Sequence, residues 1–268
     1  MGDTLAEVQT GEPVRTPLHR HISDLKRRLY WCGSFFLVAC VVTFTYADEM
    51  IAWLKKPYSD DLIFYAPTEA IFAAIKVALL GGITLTMPVI LYHLWKFFEP
   101  ALLPGERRWI IPFLAIASAF FAMGAAFANF VIVPLALHFM LQFGVDRSLV
   151  PQIGVGLYVD FNAKFLLTFG FAFELPLAIT LLSRLRVITP DLLARYRKHA
   201  IMVNLILSAI LTPTSDLFNL LLMAGPLIVL YEIGILSARL FGRPPARPPQ
   251  EEDVVADVPA GTAGRRVV

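Results

Sequence analysis

The chain has 268 residues, of which 57% are hydrophobic and 16% charged, and its mean hydropathy is +0.66. Soluble domains are typically about 45–50% apolar and about 25% charged, so this composition argues against a soluble enzyme and for a membrane protein. The formal net charge of +2 lacks the clustered positive excess of a nucleic-acid binder. The two cysteines, Cys32 and Cys40, fall in one apolar run, where they act as small apolar residues and build neither a disulfide framework nor a zinc site.

A membrane crossing needs about 20 mainly apolar residues. Residues 1–16 read as a disordered N-terminus. The first apolar run, 29–47, follows Lys26-Arg27-Arg28. It is longer than the apolar core of a cleaved signal, and Asp48-Glu49 after it is no small-residue cleavage site, so it is read as a span. Further spans are predicted at 70–94, 109–139, 161–182 and 217–236, with a shorter segment at 199–211. That segment reaches only ~20 Å at the helical rise, and Thr212-Pro213-Thr214-Ser215 alone joins it to the last span. Either the bilayer thins there or the hairpin stops short and leaves a polar recess. Beyond 241, Pro244-Pro245 and Pro248-Pro249 followed by acids read as a disordered tail. The expected fold is all-α: a polytopic membrane protein with one six-helix domain over 17–240, flanked by disordered 1–16 and 241–268.

Cytoplasmic loops hold the excess of Lys and Arg. With both termini inside, eighteen of the 23 basic residues are cytoplasmic, while Lys55, Lys56 and Arg147 lie outside and Lys76 and Lys164 fall within spans. Both termini are therefore assigned to the cytoplasm.

Ionisable groups inside a membrane cost about 2.5–3.5 kcal/mol on insertion scales, so each needs a reason. Lys76 and Lys164 lie near the outer ends of their spans and can snorkel to the interface. Glu174, in Phe171-Ala172-Phe173-Glu174-Leu175-Pro176, lies ten residues past Lys164, or about 15 Å deeper. One reading has a protonated Glu174 donating to a backbone carbonyl freed by Pro176. The other makes it an intramembrane polar site that meets a partner or substrate. On the cytoplasmic side, Asp24 can pair with Arg27 or Arg28 along the helix, and Glu106 can favour the N-terminus of the third span; pattern alone leaves both open. No phosphate-binding loop, zinc-protease helix or nucleophile-elbow motif is present. The histidines His19, His21, His93, His138 and His199 are scattered, so no metal site or cofactor is expected. Gly81-Gly82 is read as a place of close helix contact.

In order and spacing these residues resemble the TatC family, the multispanning subunit of the twin-arginine protein translocase. The resemblance rests on His21-x-x-Asp24-Leu25-Lys26-x-Arg28, similar to that family's H-L-x-E-L-R-x-R, on Pro57, and on Pro88-Val89-Ile90-Leu91-Tyr92. It continues through Phe97-x-x-Pro100-Ala101-Leu102, Glu106-Arg107-Arg108, Phe173-Glu174-Leu175-Pro176, Leu211-Thr212-Pro213, Gly225-Pro226-Leu227 and Leu230-Tyr231-Glu232-Ile233-Gly234.

The resemblance implies a concave, cup-like fold with short fifth and sixth helices, in the bacterial cytoplasmic (inner) membrane. It also implies a signal-peptide receptor that makes no covalent change, with folded cargo exported at the expense of the proton gradient. Asp24 and Glu106 match the positions that recognise an arginine pair, where carboxylates meet guanidinium groups bidentately. Phe97, Lys26 and Arg107 belong to the same implied site. Glu174 matches the family's intramembrane acid, and Pro57, Pro213 and Asp216 match structural or partner-contact positions. Implied partners are twin-arginine signal peptides, single-span TatA/TatB-type subunits, membrane lipid and further copies of the chain within a larger complex; no nucleic acid is expected. Asp24 stands where Glu is usual and Lys26 where Arg is usual, and Thr212-Pro213-Thr214-Ser215-Asp216 is one residue longer than the family's Thr-Pro-Pro-Asp. The alternative is a proton-coupled transporter of a small solute centred on Glu174, for which the expected inverted repeats are not visible.

Overall fold

The computed structural model describes residues 17–58, 61–98, 110–145, 152–212 and 216–242; at 17–25, 97–98, 110 and 143–145 only the backbone path is described. Ten α-helices make up the described chain: α1 (Pro17–Thr45), α2 (Ala47–Lys55), α3 (Pro67–Phe98), α4 (Ile110–Phe127), α5 (Val133–Val145), α6 (Val155–Phe173), α7 (Leu175–Arg184), α8 (Pro190–Arg195), α9 (Arg197–Leu211) and α10 (Leu217–Phe241). A π-helical turn, Ala128–Ile132, joins α4 to α5. Five stretches are long and apolar enough to cross a membrane: Lys26–Thr45, Pro67–Lys96, Ile111–Gln142, Val155–Arg184 and Leu217–Phe241. The protein is thus an all-helical multi-pass membrane protein. At 15 residues, α9 is about 22 Å long, short of a ~30 Å hydrocarbon layer.

Two short helices occupy what the sequence reads as loops. Tyr46 breaks the first helix, and α2 follows with Asp48 and Glu49 in its first turn and Lys55 in its last, the charge order that a helix dipole favours. Its residue Leu54 is 1% exposed, and the Tyr158 hydroxyl donates to the Leu54 carbonyl at 2.7 Å. Just beyond, Lys55 Nζ donates to Asp61 Oδ1 at 2.7 Å, a bond that holds the Asp61 carboxyl below its ordinary pKa. At the opposite end, α8 starts with Pro190 behind the cap Thr189, whose Oγ1 accepts from the Leu192 backbone N–H at 3.3 Å. The Tyr231 hydroxyl ties α10 to α8 through the Leu193 carbonyl at 3.0 Å. The two ends of the bundle are called here the α2 end and the terminal end.

In the first group of helices α6 is central, touching α2, α3 and α4, while α1 packs chiefly on α3. The core gathers Leu54, Val77, Ile132, Tyr158, Phe165 and Phe169. Lipid tails are as apolar as these side chains, so close packing and internal hydrogen bonds, rather than burial from water, hold such a bundle together. Gly82 is one place where this closeness is visible: a Cβ there would lie 3.3 Å from the Cys40 Cα and against its Sγ. The expected close contact of the glycine pair is present. In the second group, α10 packs on α7, α8 and α9, and the Thr180 and Ser237 hydroxyls meet at 2.6 Å.

At the α2 end the connecting segments are stitched together. Ile63 and Gly154 form an isolated parallel bridge, with Ile63 N–H donating to the Ile153 carbonyl at 3.1 Å and Val155 N–H to the Ile63 carbonyl at 2.8 Å. Glu69 accepts from the Tyr65 N–H through Oε2 and from the Gly156 N–H through Oε1, each at 2.8 Å. One carboxylate thereby ties the 61–66 segment to the first turn of α6, satisfying an orphan donor of that helix.

Candidate functional site

The terminal-end site expected from the sequence comprises Asp24, Lys26, Phe97, Glu106 and Arg107. Glu106 and Arg107 lie outside the described residues. Asp24 and Phe97 are described as backbone only, and Lys26 is exposed. The antiparallel register of α1 on α3 fixes how the first two stand. Arg28 Nη1 donates to the His93 carbonyl at 3.2 Å, and Thr43 Oγ1 donates to the Ala78 carbonyl at 2.7 Å. Both pairs sum to the same residue-number total, as does Asp24 with Phe97. The two expected site positions therefore stand level on neighbouring helices, one helical turn past the Arg28–His93 contact. Of the two partners that the sequence offers Asp24, Arg28 is engaged with α3.

Glu174 sits at the junction of α6 and α7. Its own backbone stays helical, with φ −74° and ψ −18°, but Pro176 at the second position of α7 has no N–H to return to the preceding turn. The Glu174 side chain is half-buried, and its Oε1 is buried without a hydrogen-bond partner. The sequence reading that has it donating to a freed carbonyl finds no such bond. Glu174 precedes Arg184, the end of α7, by ten residues, or about 15 Å, which puts it toward the terminal end. The parallel pairing of α7 with α10, set by Thr180–Ser237 and by Arg184 Nε donating to the Phe241 carbonyl at 2.9 Å, puts Glu174 level with Tyr231. The neighbouring Glu232 is taken by Arg197 at 2.9 Å.

Of the remaining positions, Pro57 lies in the turn that ends α2, just before Tyr58, whose ring meets that of Tyr158 at 5.8 Å. Asp216 caps α10: Oδ1 accepts from the Asn219 N–H at 2.7 Å and Oδ2 from Asn219 Nδ2 at 2.9 Å. Pro213 lies outside the described residues. Among the described residues no cluster of three or more His, Cys, Asp or Glu side chains could hold a metal.

The sequence reading misses Asp160. Lys76 Nζ lies 2.7 Å from Asp160 Oδ1 and 2.8 Å from Oδ2, so Lys76 does not merely snorkel; it is paired across α3 and α6. Placing the start of the fourth span at 161 leaves Asp160 in a loop, whereas α6 begins six residues earlier at Val155. Lys164 has no such partner among the described residues and is exposed.

The chain matches the family model described as Sec-independent protein translocase protein (TatC) over residues 20–226. It is 39% identical over 233 residues to the Sec-independent protein translocase protein TatC of Aquifex aeolicus, covering 85% of this chain and 96% of that one. The TatC of Carboxydothermus hydrogenoformans is 35% identical over 227 residues, covering 84% and 93%. A crystal structure described as the twin arginine translocase receptor TatC is 38% identical and superposes with a TM-score of 0.75, covering 83% of this chain and all of that one. The fold, its order of spans and the motifs along it thus converge, and the chain belongs to the TatC family of Sec-independent protein translocase proteins.

Proposed function

We propose that this chain is the receptor subunit of a twin-arginine translocase, recognising signal peptides that carry two adjacent arginines and making no covalent change in its cargo. The comparisons favour this reading over a solute transporter. On this reading the terminal end faces the cytoplasm of a bacterial inner membrane, as the excess of Lys and Arg there requires, and the α2 end faces outward. The short α9 crosses as a sixth span by thinning the bilayer, which gives the assembly a cup-like shape. Single-span partner subunits and further copies of the chain complete the complex, and the proton gradient drives export of folded cargo.

The observation that carries the reading is the α1–α3 register, which brings position 24 level with position 97 at the terminal end. An acid and an aromatic ring at one level suit an arginine, whose guanidinium takes a carboxylate through its edge and a ring through its face. Glu106 and Arg107 follow α3 closely in sequence, so a second acid is available for the second arginine.

Binding of the detergent-solubilised protein to a twin-arginine signal peptide, against the same peptide with two lysines, tests the proposal. A clear preference for arginine, lost in Glu106→Arg, is expected. Equal binding of both peptides would remove the receptor assignment.

A further inference from the structure

A groove of about 460 Å³ opens beside α6 at the α2 end, lined by Leu137, Met140, Leu141, Leu157 and Phe161, with Asp160 and Lys164 at its edge. Its volume falls within the roughly 300–1,000 Å³ of small-molecule sites. It lies between α5 and α6, inside stretches that cross the membrane, so lipid is the medium that reaches it.

The charges at its edge are unequal in standing. Asp160 is neutralised by Lys76 from α3 at 2.7 Å. Lys164, one turn further along α6, is left as a cation with no hydrogen bond or ion pair among the described residues. An unpaired charge is costly in hydrocarbon, and a counter-charge at the groove mouth would relieve that cost.

Depth sets what the counter-charge is. The path Val155–Arg184 holds 30 residues, about 45 Å of helix, which exceeds a ~30 Å hydrocarbon layer by about 15 Å. Shared between the two ends, that excess leaves Lys164, nine residues in, roughly 6 Å inside the hydrocarbon boundary. Side chains lean toward a helix N-terminus, which for α6 is the α2 end. The stem of Lys164 therefore climbs toward the α2 end, which brings its ammonium to the hydrocarbon boundary, just beneath the lipid phosphates.

We propose that Lys164 and this groove bind one phospholipid from the leaflet on the α2 side. The phosphate diester takes the Lys164 ammonium, and an acyl chain lies along Leu137, Met140 and Phe161. Asp160, held by Lys76, stands beside the headgroup without repelling it. The Lys76–Asp160 pair then has a second effect: it keeps Asp160 from claiming Lys164.

Native mass spectrometry of the whole chain, reconstituted with phosphatidylglycerol or with diacylglycerol of the same chains, tests this. Wild type and Lys164→Arg should retain one phosphatidylglycerol about tenfold better than diacylglycerol. Lys164→Gln should lose that preference, and Met140→Trp, which fills the groove and spares the cation, should lose the bound lipid. Equal retention of the two lipids by wild type, or unchanged retention in Lys164→Gln, would overturn the proposal. So would retention in Met140→Trp, since the groove would then be irrelevant. Inorganic phosphate binding as well as the lipid would show a free-anion site instead. A Lys164-dependent dimer free of lipid would give the groove to a second copy of the chain.

Discussion

Lys76 on α3 and Asp160 on α6 meet at 2.7 Å within two apolar crossing stretches, and the pair ties α3 to α6, the helix that carries the largest share of the core. Each side chain is about half exposed, at 40% and 46%, so the pair is neither dry nor fully solvated. Lys76→Met and Asp160→Leu should each lower stability, because each breaks the tie between α3 and α6: Asp160→Leu leaves Lys76 unpaired in the span, and Lys76→Met leaves Asp160 only Lys164 on its own helix. The double variant should lose less than the sum, with a coupling of about 1 kcal/mol. A double-mutant cycle on unfolding of the solubilised protein measures it, and strict additivity would show that the pair contributes nothing.

Gly82 sets the approach of α1 to α3. In Gly82→Ala the new Cβ meets Cys40, and relieving that overlap should cost about 1–3 kcal/mol. Shortening the opposing side chain in Gly82→Ala/Cys40→Ala should restore part of the loss, though the 3.3 Å approach to backbone remains. Thermal melting of the two variants against wild type separates these outcomes; equal losses in both would mean that Cys40 is not the obstacle.

Glu69 holds two backbone donors, from Tyr65 and Gly156. Glu69→Ala should cost about 1–2 kcal/mol, in line with loss of a helix cap. The local signature is faster amide hydrogen exchange at 63–66 and 154–158, with exchange near Gly82 unaltered. Exchange that quickens everywhere alike would point instead to general destabilisation.

At the terminal end, Asp24→Lys should weaken twin-arginine peptide binding at least about tenfold by reversing a charge in contact with guanidinium. Asp24→Glu, which extends the carboxylate by one methylene, should retain it. Peptide titration by fluorescence anisotropy reads both. Full binding by Asp24→Lys would mean that position 24 does not touch the arginines.

Glu174 is expected to act after recognition. Glu174→Ala should leave peptide affinity within about twofold, a change smaller than one charged hydrogen bond supplies, and should lower export in membrane vesicles. If peptide affinity falls as far as in Asp24→Lys, Glu174 belongs to the recognition site instead.

The long helices were legible because apolar runs near 20 residues have few other uses, and 67–98 and 217–241 differ from the sequence reading only at their ends. The short helices were not. In α2, nine residues carry only two buried positions, Ala47 and Leu54, too few for a periodic signal. Asp160 escaped for a related reason: hydropathy trims a span at its first charge, although the helix continues beyond it and the charge is paired inside the structure. The level standing of Asp24 and Phe97 could not be read locally, because it depends on contacts between residues as far apart as Arg28 and His93. Family resemblance brought those positions together before any geometry did.

The π-helical turn at Ala128–Ile132 changes what the third crossing stretch presents to its neighbours. In an unbroken helix, residues eleven apart face nearly the same way, so Leu135 would point with Gly124, whose added Cβ would strike the Phe169 carbonyl. Instead Leu135 is 47% exposed and Ala136 fully buried. One extra residue in the turn has advanced the phase by about 100°. A single span thus packs on α6 along its first half and, past the turn, touches α10 where Phe139 stacks on Phe218 at 4.0 Å. A helical wheel drawn through 110–145 at constant pitch would put Leu135 indoors and turn Ala136 out to the lipid.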